Sequence, residues 1–477
     1  MYGVASVAGA TFAGPYILRA AEVGKDKLRI AFVGTGGRAG AHIPLVEPIK
    51  EGAKGSTLLK GHACPAYCDV DQSHWKKIAG WQPNAKQYSD YRKMFDAHEK
   101  EIDAVFVAVP DHNHACAAAI ALRAGKAVYC EKPLTWSVSE ARALAELAAE
   151  KKVATQMGNQ GHANEGNRRV VEWVRGGVIG DILEVHSWTN RPIWPQGGQK
   201  RPPTQPIPAN LDWESWIGPA PMRDYGYEVD AQEKQIAKTG YHTFSWRGWL
   251  DFGCGAIGDM GCHTWDCVFW SMQPDYPEKV ELVRIVNPSK EMWPSKSHVK
   301  WTFPAKGDRP GFVAHWYEGG LRPPEPEEFA TDPAVVKPGE RRKFPASASM
   351  FVGTKGKIFV GGDYGESGPR LIPEAAHKEV KRPEQSIPKS PGHHDEFVLA
   401  AMGEKPWDFP GSNFAKYAGP LTENMLLGAL AIRLGEEGAK LECDPVQRVI
   451  KTKEVLQYVS REYRKGWPQV SPRGMIG

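Results

Sequence analysis

The run Leu28–Gly34 (LRIAFVG) passes directly into Thr35–Gly40 (TGGRAG), and no other junction limits the fold so strongly. An apolar β-rich segment, a glycine turn and a helix-compatible segment form the strand–turn–helix of a dinucleotide site. Gly34 gives the tight turn, Gly36 lets backbone approach a pyrophosphate, and Ala39 is the third small residue, needed for helix–strand packing. Gly37 and Arg38 complete the turn, and the amides at the helix start face the phosphates. The same rhythm then repeats. A strand over Ala63–Val70 carries Asp69, helix Tyr91–His98 follows, and Ile102–Val109 is a continuous apolar run, as in a strand covered on both faces. It stops at Pro110-Asp111-His112-Asn113-His114, ahead of an alanine-rich helix over Ala115–Ala124. Lys126–Cys130 is the next strand and delivers Glu131-Lys132-Pro133. Ser137–Lys151 reads as an amphipathic helix with Ser137 and Glu140 as a capping box, and Val153–Met157 closes the sheet. Strands alternating with helices predict a parallel, doubly wound sheet, whose ligands sit beyond the carboxyl ends of the strands. Gly34, Asp69, Pro110 and Glu131 all fall there.

An acid at Asp69 would hydrogen-bond the adenosine ribose and repel a 2′-phosphate, which favours NAD over NADP. Asp71 is the alternative, because Glu51–His62 reads as an inserted loop that lengthens the usual spacing. Lys132 is the organising residue. Pro133 pushes it toward extended geometry, so its ammonium is aimed at the junction between a cofactor half and a substrate half.

From Gly158 the character changes. Asn164–Arg175 reads as a helix, and β-type runs follow at Ile182–Thr189, Val280–Val286, His298–Phe303, Phe312–Tyr317 and Ser349–Val360. Val299, Trp301 and Phe303 alternate as a half-buried antiparallel strand should. The expectation is a large, open, mostly antiparallel sheet with helices on one side. Pro202–Pro221 and Arg322–Pro345 are long loops of the kind that make lids or interface arms, and helices return at His394–Met402, Leu421–Leu434 and Pro445–Tyr463. The domains expected are therefore 28–157 and 158–477, preceded by an arm over 1–27.

Within Trp246–Trp270, a helix over Gly258–Trp270 would place Asp259 and His263 on one face, four residues apart. The carboxylate could orient the ring and raise its basicity while the ring takes a hydroxyl proton. A hydrogen-bonded core or capping pair is the alternative, and Asp266 continues the same face. Gly158–His162 (GNQGH) and Asn190–Trp194 (NRPIW) offer Gln160, His162, Arg191 and Trp194 to a substrate, with turn or sheet-edge roles as the alternative. His242, Trp246 and Arg247 join the candidate substrate groups. Flat indoles suit the apolar faces of sugar rings, although most of the 17 tryptophans belong to core or subunit interface. His393-His394 reads as a helix start, and no metal site is expected.

At 477 residues, two or three domains are expected. A net charge of +4 with no basic stripe argues against nucleic acid as a partner. Eight cysteines without a Cys-x-x-Cys pair read as buried free thiols. Met1–Ala21 is too weakly hydrophobic to span a membrane. It resembles a twin-arginine export signal without its basic leading region, and a docking arm is the alternative. A periplasmic or otherwise exported location is expected, with a cytoplasmic one as the alternative.

In this order, the Gly-x-Gly-x-x-Ala turn, Val-Pro-x-x-x-His, Glu131-Lys132-Pro133 and Asp259-x-x-x-His263 resemble the Gfo/Idh/MocA family, the relatives of glucose–fructose oxidoreductase and inositol dehydrogenase. The resemblance covers nearly the whole chain from Leu28. TQMGNQGH, SPGHHDEF, AGPLTE and REYRKGW look like its exported branch, common in planctomycete and Bacteroidetes genomes. The resemblance implies a Rossmann domain, an α/β domain whose sheet face supports oligomerisation (a homodimer or homotetramer), and hydride transfer between nicotinamide and a sugar, polyol or glycoside hydroxyl. By motif match Lys132 would hydrogen-bond the reacting oxygen, His263 would act as acid/base and Asp259 would assist substrate binding. Pro110, His114, Glu131 and Lys132 would line the cofactor. An exported enzyme would need NAD held tightly, which favours a redox-neutral cycle such as that of NAD-dependent glycosidases or a 3-keto-glycoside lyase. Tyr241-His242 before Trp246-Arg247 departs from the glycosidase motif. A non-catalytic sugar- or nucleotide-binding module is the remaining alternative.

Overall fold

The computed structural model describes residues 27–49, 58–198 and 200–471. The signal-like stretch Met1–Ala21 and most of the inserted loop expected over Glu51–His62 lie outside the described residues.

The first domain is a parallel sheet of six strands: β1 Ile30–Val33, β2 Ala66–Cys68, β3 Lys86–Tyr88, β4 Ala104–Val107, β5 Ala127–Cys130 and β6 Thr155–Met157. Their order is β3-β2-β1-β4-β5-β6, so the strand order reverses between β1 and β4 and opens a crevice there. β1, β4 and β5 are buried at every position, as continuous apolar runs demand. Helix Tyr91–His98 has the bounds read from sequence. Helix Val138–Lys151 carries the expected capping box, with the Ser137 side chain and Glu140 satisfying each other's backbone.

Three local readings change. The glycine turn is followed by two short 3-10 turns, Gly37–Ala41 and Ile43–Val46, because Pro44 sits where a regular helix would need an amide donor. The alanine-rich helix starts at Asp111, so Asp111, His112, Asn113 and His114 form its buried first turn. β3 is a short strand of polar, exposed residues whose composition hides it.

The second domain is built on nine strands: β7 Ile182–Trp188, β8 Lys279–Val286, β9 Lys296–Phe303, β10 Phe312–Tyr317, β11 Ala348–Gly353, β12 Gly356–Gly361, β13 Arg370–Ile372, β14 Lys440–Asp444 and β15 Val449–Ile450. All pairings are antiparallel except β7 with β10. The single run expected over Ser349–Val360 is a hairpin turning at Thr354-Lys355. Helix Gly419–Arg433 packs on this sheet through Gly428, where an added Cβ would lie 2.3 Å from the Trp301 ring. All eight cysteines are buried and free.

The helix expected over Pro445–Tyr463 does not form. That stretch holds β15, a 3-10 turn and the short helix Leu456–Val459, and residues 461–470 run back over the first domain. Arg461 bonds Glu140 and Tyr463 bonds the same carboxylate. Trp467 packs edge-on to Tyr91 and under the Arg92 guanidinium. Its charged residues serve this return path, and its apolar residues are used piecemeal: Val455 is buried while Ile450, Tyr458 and Val459 pack on the core from separate short elements.

One consequence concerns Gly34. It has φ +88, and a Cβ there would stand 2.4 Å from the Ala108 carbonyl oxygen of β4's exit loop. Gly34→Ala is expected to cost about 2–4 kcal/mol from the backbone conformation and the clash together. A denaturant melt is the measurement, and a wild-type midpoint would refute the assignment.

Candidate functional site

A cavity of about 650 Å³ opens at the carboxyl ends of β1, β2, β4 and β5 and is closed on its far side by the second domain. Its wall contains Gly34, Gly36, Gly37, Arg38, Asp69, Pro110, His114, Glu131, Lys132, Gln160, Arg191, Trp194, His242, Trp246, Arg247, Asp259 and His263. Every candidate site residue but one is therefore brought to a single space.

The exception is His162. It is 2% exposed, bonds Asp266 at 3.1 Å and stacks on Trp270 at 4.1 Å. Asp266 also accepts from Asn159 at 2.9 Å, from Asn167 at 3.3 Å and from the Tyr417 hydroxyl at 2.8 Å. The expected helix Gly258–Trp270 is broken at Trp265 into Gly255–Thr264 and Asp266–Met272. Asp266 thus belongs to a structural network beneath the cavity, and His162 goes with it.

At the cavity's centre the Lys132 ammonium donates to the Asp259 carboxylate at 2.7 Å and to the Asp259 backbone carbonyl at 2.8 Å. Arg247 Nε reaches the same carboxylate oxygen at 3.2 Å, while its guanidinium lies 4.3 Å from Trp246 and 4.5 Å from Phe244. Burial opposes ionisation of Asp259, but Lys132 and Arg247 outweigh it and hold the carboxyl below its usual range. An ammonium has three donors, so Lys132 keeps one for a substrate oxygen.

His263 differs from expectation. No hydrogen bond joins it to Asp259, whose reachable oxygen is taken by two cations, and its Nδ1 is buried with no hydrogen-bond partner among the described residues. Burial, then the neighbouring Lys132, push its pKa down to about 3. The ring is a neutral imidazole, held edge-on against Tyr364 at 4.8 Å; the Asp259 charge favours its protonation, but burial and Lys132 outweigh it.

Tyr364 was not singled out from sequence. It is carried by the loop between β12 and β13, residues 362–369, and its carbonyl accepts from Asn164 and Asn167. Gly161, Gly166 and Gly365 have no room for a side chain against this loop; at Gly365 a Cβ would fall 1.7 Å from Asn167 Oδ1. The signal was the glycine-dense GGDYGESG, readable as a loop brought close to other backbone. His74, Asp111, Trp216 and Phe244 also line the cavity and were missed.

On the cofactor side the residues fit a dinucleotide. The turn Gly34–Gly37 presents no side chains to the cavity. Asp69 fixes that turn by accepting from the Thr35 amide at 2.7 Å and the Gly36 amide at 3.2 Å, and His74 packs on Gly36 while bonding the same oxygen at 3.3 Å. Among the described residues Asp69 Oδ1 takes only the Asp71 amide, leaving a lone pair for a ribose hydroxyl. Asp71, the alternative, is engaged elsewhere: it caps residues 72–75 and accepts from Asn210. His114 borders the cavity, but its two ring nitrogens lie 2.7 Å from the Pro133 carbonyl and 2.8 Å from the Val109 carbonyl. Its work is to tie the two loops together. Glu131 is kept ionised despite burial by His42, at 2.9 Å, and by Arg38, at 3.2 Å.

Gly158 holds Glu131 in place from below: a Cβ there would be 2.6 Å from its carboxylate. Gly158→Ala is expected to displace Glu131, lower stability by about 1–3 kcal/mol and weaken nucleotide binding at least tenfold, by about 1.4 kcal/mol or more. Thermal melts with and without nucleotide check this.

Comparisons with known proteins agree with this geometry. The model of the oxidoreductase family's NAD-binding Rossmann fold matches residues 28–159, and that of its C-terminal alpha/beta domain matches residues 170–292. Together they take in more than half of the chain. Inositol 2-dehydrogenase of Salmonella typhimurium is 30% identical over 133 residues, covering 28% of this chain and 39% of that protein. Inositol 2-dehydrogenase of Gluconacetobacter diazotrophicus is 27% identical over 194 residues, 40% of this chain and 54% of that protein. The alignments thus span about half or less of these relatives' length. Among solved structures, the WlbA dehydrogenase from Bordetella pertussis, in complex with NADH and UDP-GlcNAcA, superposes with a TM-score of 0.54 at 16% identity, over 88% of this chain and 99% of that one. The aldose-aldose oxidoreductase from Caulobacter crescentus, complexed with glycerol, gives 0.52 at 15% over 87% and 99%. At such identities the likeness is one of fold. With two domain models of one family matched in order, and a glycine turn and Glu-Lys-Pro loop meeting at one cavity, the chain belongs to the Gfo/Idh/MocA family of NAD-binding oxidoreductases.

Proposed function

We propose that this protein transfers hydride between NAD and a hydroxyl of a sugar, polyol or glycoside. The observation that carries the reading is the meeting of Lys132, Asp259 and His263 at the wall that also holds the glycine turn. When bound, the nicotinamide supplies the two-electron acceptor. The chain's own residues supply the rest. The free donor of Lys132 hydrogen-bonds the reacting oxygen and stabilises its developing negative charge, and Asp259 fixes the ammonium in that position. Neutral His263, which lines the cavity, takes the hydroxyl proton. Trp194, Trp246 and Phe244 offer flat faces to a ring, and Arg191 and Gln160 offer polar groups to its hydroxyls.

The test is to denature the purified protein, identify any released nucleotide, and then screen sugars and polyols for formation of reduced nicotinamide. Failure to bind NAD would end the reading. A redox-neutral cleavage of glycosides is favoured by one observation, the apolar rim of Ile193 and Phe244, which are 51% and 37% exposed at the cavity wall and suit an aglycone. Cleavage of an aryl glycoside without accumulation of reduced cofactor would establish it.

A further inference from the structure

Behind the cavity a chain of side chains leads outward that the reaction as described does not use. Glu131 lines the cavity beside Lys132. Its Oε1 lies 2.9 Å from His42 Nε2, and His42 Nδ1 lies 2.8 Å from His394 Nε2. His42 is wholly buried, packed between Phe106 at 5.3 Å and Tyr129 at 4.8 Å. His394 is only half-buried, stacked flat on Tyr129 at 5.2 Å. The elements around the chain bring few other ionisable groups. Arg38 and Lys132 face Glu131, the Tyr129 hydroxyl is buried without a hydrogen-bond partner among the described residues, and His393 and Asp395 flank His394 in sequence. His393 is engaged with the Met157 carbonyl at 2.7 Å.

The hydrogen-bond polarity follows from the carboxylate. Glu131 accepts, so His42 donates through Nε2, and in the inward-conducting tautomer His42 Nδ1 accepts from His394 Nε2–H. Two imidazoles in series with a carboxylate, buried at one end and open at the other, have the make-up of a proton path rather than of a packing contact.

We propose that Glu131, His42 and His394 form a proton conduit between the cavity and solvent. This rests on the oxidoreductase reading, in which each hydroxyl oxidised gives a carbonyl, a hydride carried off by the nicotinamide and one proton that has to leave. In the reduction direction a solvent proton binds His394 Nδ1. The His394 Nε2–H bond then breaks as His42 Nδ1–H forms, and His42 Nε2–H breaks as the Glu131 O–H forms. The protonated carboxyl then stands at the cavity and reloads His263, which gives the proton to the carbonyl oxygen as it is reduced. Run backwards from the other pair of tautomers, the same hops export the proton of oxidation. The route leaves through His42 and His394, which do not line the cavity, so it does not run through the cavity mouth.

The test follows two signals in weakly buffered solution: reduced nicotinamide by absorbance, and proton release by an indicator dye. NAD-loaded protein is mixed with the sugar that the wild type oxidises. His394→Ala and His42→Gln are expected to slow proton release by roughly 10- to 100-fold. Added imidazole should restore His394→Ala in proportion to its concentration. The amide introduced by His42→Gln can still donate to Glu131 but cannot pass a proton on, so a defect in that variant reports conduction and not support. Proton release at the wild-type rate in both variants would overturn the proposal. The chain itself is tested without substrate, by nitrogen NMR of the histidine rings: His42→Gln must move the titration of His394, and an unmoved titration also overturns it. If no sugar reduces nicotinamide, the oxidoreductase reading falls, and the ring titration still decides whether the three groups are coupled.

Discussion

Lys132→Ala is expected to lower turnover by about 10³-fold or more while leaving nucleotide binding and the fold in place. Two effects of known size combine: loss of the donor aimed at the reacting oxygen, and loss of the charge that favours its deprotonation. The fold survives because Asp259 retains Arg247 at 3.2 Å, so the buried carboxylate is not left without a cation. Steady-state rates with a sugar identified by screening, beside calorimetric nucleotide affinity, make the comparison. A variant within tenfold of wild type would remove Lys132 from the chemistry. A variant that binds sugar and nucleotide normally, in a protein whose wild type also shows no turnover, would favour a binding module. His263→Ala should cost less, about 10²-fold, since the ring contributes as a weak neutral base.

Acidification is expected to destabilise the protein from about pH 6.5 downward, before the carboxylates titrate. His112, His263 and His393 are 0%, 4% and 7% exposed, and burial drives their pKa values down to about 3, 3 and 4 from 6.5. The unfolded chain protonates these rings near 6.5 and the folded chain only near 3–4, so between those values the unfolded state binds more protons. Stability from this source is complete above pH 6.5 and is lost as pH falls toward 4. Each ring contributes at most about 1.4 kcal/mol per pH unit, and the three together roughly 4. A net stability of about 5–15 kcal/mol would be exhausted within a few pH units. Melting temperature against pH is the measurement; a profile flat from about pH 7 to 5 would contradict the burial of these rings.

How much of this was readable in the residues depends on what each residue answers to. The strand ends carrying Gly34, Asp69, Pro110 and Glu131 were legible because a buried parallel strand needs a continuous apolar run and its loop must then turn polar. β10 matched its reading for a similar reason. The relation of Asp259 to His263 was not legible. Helical spacing places both on one face but cannot say that Lys132 and Arg247, from two other segments, claim the carboxylate first. His162 was drawn away by Asp266, whose direction was set by a helix break at Trp265. The segment expected as a final helix failed because its charged residues have partners hundreds of positions earlier, and no local pattern records such a partner.

That distant pairing bears on the order of assembly. Glu140, which closes the cap of helix Val138–Lys151, receives Arg461 and Tyr463 from 321 and 323 positions further along. During synthesis the first domain emerges long before those two residues exist, so its nucleotide-side half can collapse but cannot complete that face. Maturation therefore ends with a tail-to-head closure, and a nascent chain halted before residue 461 should remain sensitive to protease at the start of this helix.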